Sequence, residues 1–272
     1  MLIQDYLDIC DPVLTFDRFM GEIELEKYLK NIPQHYTGRL RYDPVSMLKT
    51  VLFGFMANGY ISLRELEDKK AKSRLGGIIN VAAPYYLVIY TEDKERADMN
   101  AGYIMQQISL YLFSKGVGSC FQGMGHLKGE MPKEGMRCVI LMAIGYPKVD
   151  MVRNQEDAKR ESMEDLCAVK EPPRRFVKEF LEVARLAPSA FNSQPWRFVV
   201  YENRVHVFSK QTVAHRRLLG KYNEFDFGIM LANIMIAAEQ LWVDVDLIRL
   251  DNITHMDLPN NRYVISIIMR EP

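Results

Sequence analysis

A chain of 272 residues with 48% hydrophobic content can bury a substantial core, which excludes a disordered tail. Lysine and arginine together number 35, as do aspartate and glutamate, so no global field draws the chain to nucleic acid or to an anionic membrane. The four cysteines, Cys10, Cys120, Cys138 and Cys167, stand far apart, and the five histidines complete no ligand spacing, so the sequence predicts no metal site and reduced thiols in a cytoplasmic protein. Asp5 and Asp8 interrupt the start where a signal peptide would need a basic and then an apolar run.

Residues 1–72 read as a short all-helical segment, with helices expected over 17–31, 44–57 and 62–72. Pro33, Gly38 and Asn58-Gly59 punctuate the gaps, and Ser62 followed by Glu65 suggests a capping box. The basic join Lys69-Lys70-Ala71-Lys72-Ser73-Arg74-Leu75-Gly76-Gly77 then marks a boundary. Beyond it, Tyr85-Tyr86-Leu87-Val88-Ile89-Tyr90 is a continuous apolar run of the buried-strand type, and the paired tyrosines belong to a core.

From about residue 76 the order of elements repeats. In a first copy, 76–150, that strand is followed by a helix opening at Asn100-Ala101-Gly102 and a closing strand over 137–144. In a second copy, 172–272, a strand over 205–208 precedes a helix opening at Asp226-Phe227-Gly228 and a last strand from Arg262. Asn and Asp are good helix starters, and a glycine two residues later permits close backbone approach. Two copies of one α+β unit in one chain suggest a pseudo-dimer with its two-fold interface inside the chain. The apolar stretch 227–243 contains Asn233, Glu239 and Gln240 and suits a buried helix better than a membrane span.

The helical run 176–186 must stop at Ala187-Pro188, and the loop after it carries Ser189, Asn192, Ser193 and Gln194. Hydroxyls and amides that both donate and accept are the equipment for reading the edge of a planar heterocycle, although such residues can also satisfy their own backbone in a polar turn. Gly116-Val117-Gly118-Ser119-Cys120-Phe121-Gln122-Gly123-Met124-Gly125 is a second candidate, since closely spaced glycines free backbone amides to approach a ligand. Gly116 could equally be the left-handed cap of a helix. Arg174-Arg175 and His215-Arg216-Arg217 read as solvated charge.

The run Ala184-Arg185-Leu186-Ala187-Pro188-Ser189-Ala190-Phe191-Asn192-Ser193-Gln194-Pro195-Trp196-Arg197-Phe198 resembles the signature of the nitroreductase family. Motif order, with the glycine segment before the Pro-Ser loop, is similar to the internally duplicated subgroup called putative TM nitroreductases. The resemblance implies a nitroreductase-like α+β fold and one site for FMN per chain. It places Pro188, Ser189, Ala190, Asn192 and Gln194 of one copy and Gly118, Ser119, Cys120 and Phe121 of the other at the flavin. It further implies NAD(P)H as hydride donor and a nitroaromatic or quinone-like small molecule as acceptor. The flavin carries the chemistry, so no catalytic side chain is implied.

Family members also resemble one another in an Arg-x-Ser-x-Arg start that grips the flavin phosphate, which this sequence lacks before Gly76; Lys69, Lys70, Lys72 and Arg74 are the nearby substitutes. Residues 8–68 are instead similar to the N-terminal domain of insertion-sequence transposases, notably at Met47-Leu48-Lys49-Thr50-Val51-Leu52-Phe53-Gly54-Phe55-Met56 and Ser62-Leu63-Arg64-Glu65-Leu66-Glu67. The first 75 residues hold as many acidic as basic side chains, a poor footprint for phosphates, so DNA binding is not expected. Alternatives to an enzyme are a non-catalytic fusion product with impaired flavin binding and a DNA-binding transposase remnant. A half-interface left by the shortened first copy would favour homo-oligomers.

Overall fold

The apolar run at Tyr85 becomes a strand, and a sheet assembles around it. In the computed structural model, β3 (Tyr85–Glu92) lies between β1 (Ile61–Glu67) and β6 (Met136–Gly145), and β4 (Gly118–Gln122) closes the order β1-β3-β6-β4, every pair antiparallel. Tyr86, Val88 and Tyr90 of β3 pack with Leu141 and Ala143 of β6 in one buried cluster. A small two-stranded sheet pairs β2 (Leu75–Gly77) with β5 (Gly125–Leu127), antiparallel. The described residues are 61–67, 75–78, 81–128, 135–148, 152, 154–210, 220–251, 253–255, 258 and 261–270. The helices expected over 17–31 and 44–57, the basic cluster 69–74, His215-Arg216-Arg217 and the transposase-like segment up to residue 60 lie outside them.

The helix expected from Ser62 is corrected: Ile61–Glu67 is a strand, paired from Ile61↔Thr91 to Glu67↔Tyr85. A Ser-x-x-Glu start favours a helix only locally, whereas pairing along a buried neighbour satisfies the backbone groups of the segment that face β3, and that tertiary gain overrides propensity.

A second sheet has the order β10-β11-β9-β8-β7, built from β7 (Cys167–Val169), β8 (Trp196–Val200), β9 (Arg204–Ser209), β10 (Asp244–Ile248) and β11 (Arg262–Arg270). Only the β7–β8 pair is parallel. Read from β8, the order β8-β9-β11-β10 has the same connectivity as β1-β3-β6-β4. Among the described residues four α-helices accompany the strands: α1 (Ala97–Ser114), the single turn α2 (Met163–Leu166), α3 (Arg175–Leu186) and α4 (Asn223–Leu241). The chain divides into two units, one with the described residues through Lys94 and Ile108–Lys148, the other with Glu95–Gln107 and the described residues beyond Lys148.

In α3 the apolar residues Val177, Phe180, Leu181 and Ala184 share the buried side, while Arg175 is exposed and pairs with Glu179 one turn on. Helix α4 is different: Phe225, Phe227, Ile229, Met230 and Leu231 are all buried, which marks a first half enclosed on every side, while Ile236, Glu239 and Gln240 further along are exposed. Both long helices start three residues before the expected Asx, so Asn100 and Asp226 are each the fourth helical residue. Their acidic or amide side chains sit in the first turn, where the free N–H groups of a helix gather.

Both helices also end alike. Gly116 N–H donates to Phe113 O at 2.9 Å and Val117 N–H to Leu112 O at 3.0 Å; Trp242 N–H donates to Glu239 O at 3.4 Å and Val243 N–H to Ala238 O at 3.0 Å. This is the Schellman cap, and its left-handed residue is Gly116 (φ 73°) in one helix and Trp242 (φ 57°) in the other.

Within the second unit the two helices meet through their glycines. A Cβ on Gly102 would stand 2.0 Å from Phe225 O, and one on Gly228 would stand 1.9 Å from Met99 O and 2.6 Å from Tyr103 N. Each glycine thus lies against the backbone three residues before the other. One turn further, Gln106 Nε2 donates to Asn233 Oδ1 at 2.9 Å. Because the obstacles are backbone atoms that no rotamer change can move, Gly102→Ala or Gly228→Ala is expected to cost about 3 kcal/mol or more, measured by denaturant unfolding. Trp242→Gly should act in the opposite sense, raising stability by about 1 kcal/mol as left-handed strain is removed from an exposed cap.

Candidate functional site

Helix α3 stops where the sequence requires: Ala187 N–H donates to Ala184 O at 3.2 Å, and Pro188 cannot continue the ladder. Ser189 is extended, and the chain then makes one tight turn over Ala190–Asn192 before Trp196, wholly buried, opens β8. Phe191, Asn192 and Gln194 all have positive φ, at 53°, 54° and 45°. Left-handed backbone costs a non-glycine residue about 1–2 kcal/mol, so three in four positions require strong tethers.

Those tethers are visible. Asn192 N–H and Ser193 N–H donate back to Ser189 O and Ala190 O, both at 3.0 Å, and Gln194 N–H donates to Ser189 Oγ at 3.0 Å. Ala190 N–H points at the carboxylate of Asp226 in the first turn of α4, 3.1 Å from each oxygen. Asp226 is only 3% exposed. Burial is the larger influence on its carboxyl and raises it to about 7, while the Ala190 N–H works in the lowering direction.

The amides of the loop find their partners in the segment just before α2. Asn192 Nδ2 donates to Lys159 O at 2.8 Å, and Arg160 Nη1 donates to Asn192 Oδ1 at 2.8 Å. Arg160 Nη2 also donates to Leu186 O at 3.1 Å, at the end of α3. Glu161 N–H donates to Gln194 Oε1 at 2.7 Å, and the Glu161 carboxylate pairs with Arg197 at 2.7 Å and, more loosely, with Lys210 at 3.8 Å. Residues 159–161 therefore form a strap across the loop. Ser193 Oγ and Trp196 Nε1 are buried without a hydrogen-bond partner, and Phe191 projects outward, 64% exposed, with its ring 6.1 Å from that of Tyr222.

The structure thus brings Ser189, Ala190, Asn192 and Gln194 together with three groups not predicted at the site: Arg160, Glu161 and, as a tether for the loop, Asp226. Their signal in the sequence is faint. Lys159-Arg160-Glu161 precedes Ser162, whose hydroxyl caps α2 through Asp165 N–H, so it reads as the charged approach to an ordinary helix start.

The expected glycine loop is corrected in part. Gly116 is the left-handed helix cap, but Gly118–Gln122 is strand β4, in register with β6 from Gly118↔Gly145 to Gln122↔Leu141. A Cβ on Gly118 would meet Gly145 O at 3.2 Å, a tight contact where β4 runs beside β6. Ser119 Oγ lies 2.7 Å from Ser109 Oγ of α1. Gln122, almost fully buried, accepts from Val81 N–H at 3.3 Å and donates to Cys120 O at 3.3 Å. Phe121 is half-buried, and Cys120, on the edge of the sheet, has its thiol pushed above its ordinary value by burial, with Gln122 acting the other way. Cys120, Cys138 and Cys167 are free thiols, no group of three or more potential metal ligands occurs among the described residues, and no described helix is long and apolar enough to cross a membrane.

No curated protein matches the chain. A crystal structure of a putative nitroreductase from Thermotoga maritima, solved at 2.00 Å, is similar over 89% of this chain and 91% of that chain, at 16% identity and a TM-score of 0.47. The family described as "Putative TM nitroreductase" matches residues 57–238, from just before β1 well into α4, and it takes in both the strap and the Pro-Ser loop. The chain belongs to that nitroreductase family.

Proposed function

We propose that the protein is an FMN-dependent oxidoreductase of the nitroreductase type, with the 188–196 loop holding the flavin. The observation that carries this reading is the loop itself: three left-handed non-glycine residues, tethered from α4 and from the strap, beside a buried hydroxyl, Ser193 Oγ, that lacks a partner. Strain of this kind persists where a site must be pre-shaped, and an orphaned buried polar atom suits a ligand that brings the missing partner. The residues therefore fit the cofactor.

When bound, FMN would accept hydride from a reduced nicotinamide and pass electrons to a nitroaromatic or quinone-like acceptor. The part of this chain is to bind, orient and shield. Ser189, Asn192 and Gln194 supply donors and acceptors for the ring edge, with Pro188 and Ala190 fixing the backbone between them. Arg160 supplies a fixed cation at the loop, the kind of group that pairs with a phosphate in two parallel hydrogen bonds. Gly118, Ser119, Cys120 and Phe121 of β4 are assigned backbone contacts to the cofactor.

We further infer that the chain contains two copies of one unit. The identical strand connectivity, the matched caps and the constant interval by which Ala97, Gly102, Gly116, Gly118 and Met136 correspond to Asn223, Gly228, Trp242, Asp244 and Arg262 support it.

A second reading has its own observation. Asn192 and Gln194 already have protein partners in the strap, so a chain that binds no flavin is also consistent with the loop. The visible spectrum and a fluorescence-quenching titration with FMN decide: a yellow protein, or quenching that saturates, is expected, whereas a colourless protein without quenching sinks the enzyme reading. If FMN binds, Arg160→Ala and Asn192→Ala should each weaken it by roughly tenfold or more, the loss of a hydrogen bond to a charged group being about 1.5–3 kcal/mol. Unchanged affinity in both would remove the assigned roles.

A further inference from the structure

The second unit contains one buried carboxylate to which no ion pair is assigned. Asp226 is 3% exposed, has no salt-bridge partner among the described residues, and makes one contact of consequence, with the N–H of Ala190 at 3.1 Å to each oxygen. Ala190 is the first residue of the turn in which Phe191, Asn192 and Gln194 adopt left-handed backbone. Asn100, the fourth residue of α1 as Asp226 is of α4, is exposed and carries no carboxylate.

We propose that Asp226 is a positioning residue whose carboxylate latches Ala190 and so controls, by its own protonation, how firmly the 188–196 loop is held in its ligand-ready shape. The idea rests on reading that loop as the ligand site, but the latch can be measured without any ligand. A carboxylate accepts a backbone N–H more strongly than a neutral carboxyl does, and a loop carrying this much strain relaxes when its anchor weakens.

The carboxyl responds to burial first, which raises it to about 7, and to Ala190 N–H second, which lowers it. Burial and the Ala190 N–H are the influences that set this carboxyl; the charged side chains on neighbouring elements are Glu95, Arg96 and Asp98 at the start of α1, Lys178, Glu179, Glu182 and Arg185 on α3, Arg197 on β8, and Lys221 and Glu224 beside α4's first turn. The loop itself, Ala187 to Trp196, holds no charge.

Two consequences then run in opposite directions. A carboxyl whose folded value exceeds its ordinary 3.8 contributes stability that is present at low pH and lost as pH rises through about 7. Over the same window the ionised form grows and the latch on Ala190 tightens. A residue serving only general stability would loosen the loop as it loosened the fold; a latch does the reverse.

Amide hydrogen exchange followed by NMR, corrected for intrinsic rates and compared at about pH 5.5 and about pH 8.5, reads the latch at Ala190 directly. Protection there should rise roughly tenfold with pH in the wild type, become independent of pH in Asp226→Asn, and stay low at both values in Asp226→Ala. The amide variant keeps the shape and an acceptor oxygen, so it is expected to fold and decides the matter should the alanine variant fail to. Ala190 equally protected in Asp226→Ala, or a pH step surviving in Asp226→Asn, overturns the proposal. An FMN titration over the same pH range separates the two readings: affinity that follows protection supports both, while the expected protection without any flavin quenching leaves the latch standing and removes the cofactor.

Discussion

The close contact of two glycines, Gly102 and Gly228, is the constraint on which the second unit depends. Helices whose backbones approach so closely need positions with no Cβ, and here each glycine faces peptide groups that cannot yield. The contact fixes α4 about its own axis. Once Gly228 is pinned against Met99 and Tyr103, the residues around it have no freedom to turn, and Asp226, two positions earlier, is presented to Ala190. A packing requirement in the helix core thus becomes a placement requirement at the candidate site. The Gln106 to Asn233 hydrogen bond, one turn along, sets the register of the same crossing, since it forms only when both helices are in place.

What the two sheets share and where they differ separates architecture from specialisation. Strand connectivity, cap geometry and the Asx-x-Gly opening are common to the two sheets and their long helices, which run 18 and 19 residues. Among the described residues, the second sheet carries β7 alongside β8, and with it go the strained loop, the strap that binds it, and a buried carboxylate, Asp226, at the α4 position that Asn100 holds in α1. These additions are mutually dependent. Without the carboxylate the first turn of the loop has no acceptor for Ala190 N–H, and without the strap the amides of Asn192 and Gln194 would have to be satisfied by solvent.

Much of this was legible in the sequence, and the exceptions are physical. The continuous apolar run at Tyr85, the amphipathic spacing before Pro188 and the strand-like run from Arg262 report on local pattern, and strands and helices formed there within a residue or two. The segment at Ser62 misled because a capping pattern is local while strand pairing with β3 is not. The glycine segment misled in part because glycine permits both a loop and a close-packed strand; only the pairing with β6 decides. Arg160 and Asp226 were invisible as site residues for a different reason. Both act through backbone groups far along the chain, Leu186 O and Ala190 N, and a backbone partner leaves no trace in the amino-acid sequence.

The strap also bears on how tightly any ligand could be held. In the structure the amides of the loop are satisfied: Asn192 has Lys159 O and Arg160, and Gln194 has Glu161 N–H. A planar ligand reading the same amides would exchange these bonds for its own, so the gain is the difference between two hydrogen-bonded states and is small. Most of the affinity would then come from groups that lack partners beforehand, Ser193 Oγ and the exposed face of Phe191, together with whatever charge Arg160 can direct outward. The arrangement trades enthalpy at the amides for order. Because the strained turn is already formed and anchored at both ends, binding need not also supply the conformational entropy of closing it, which for a loop of this length is the larger obstacle.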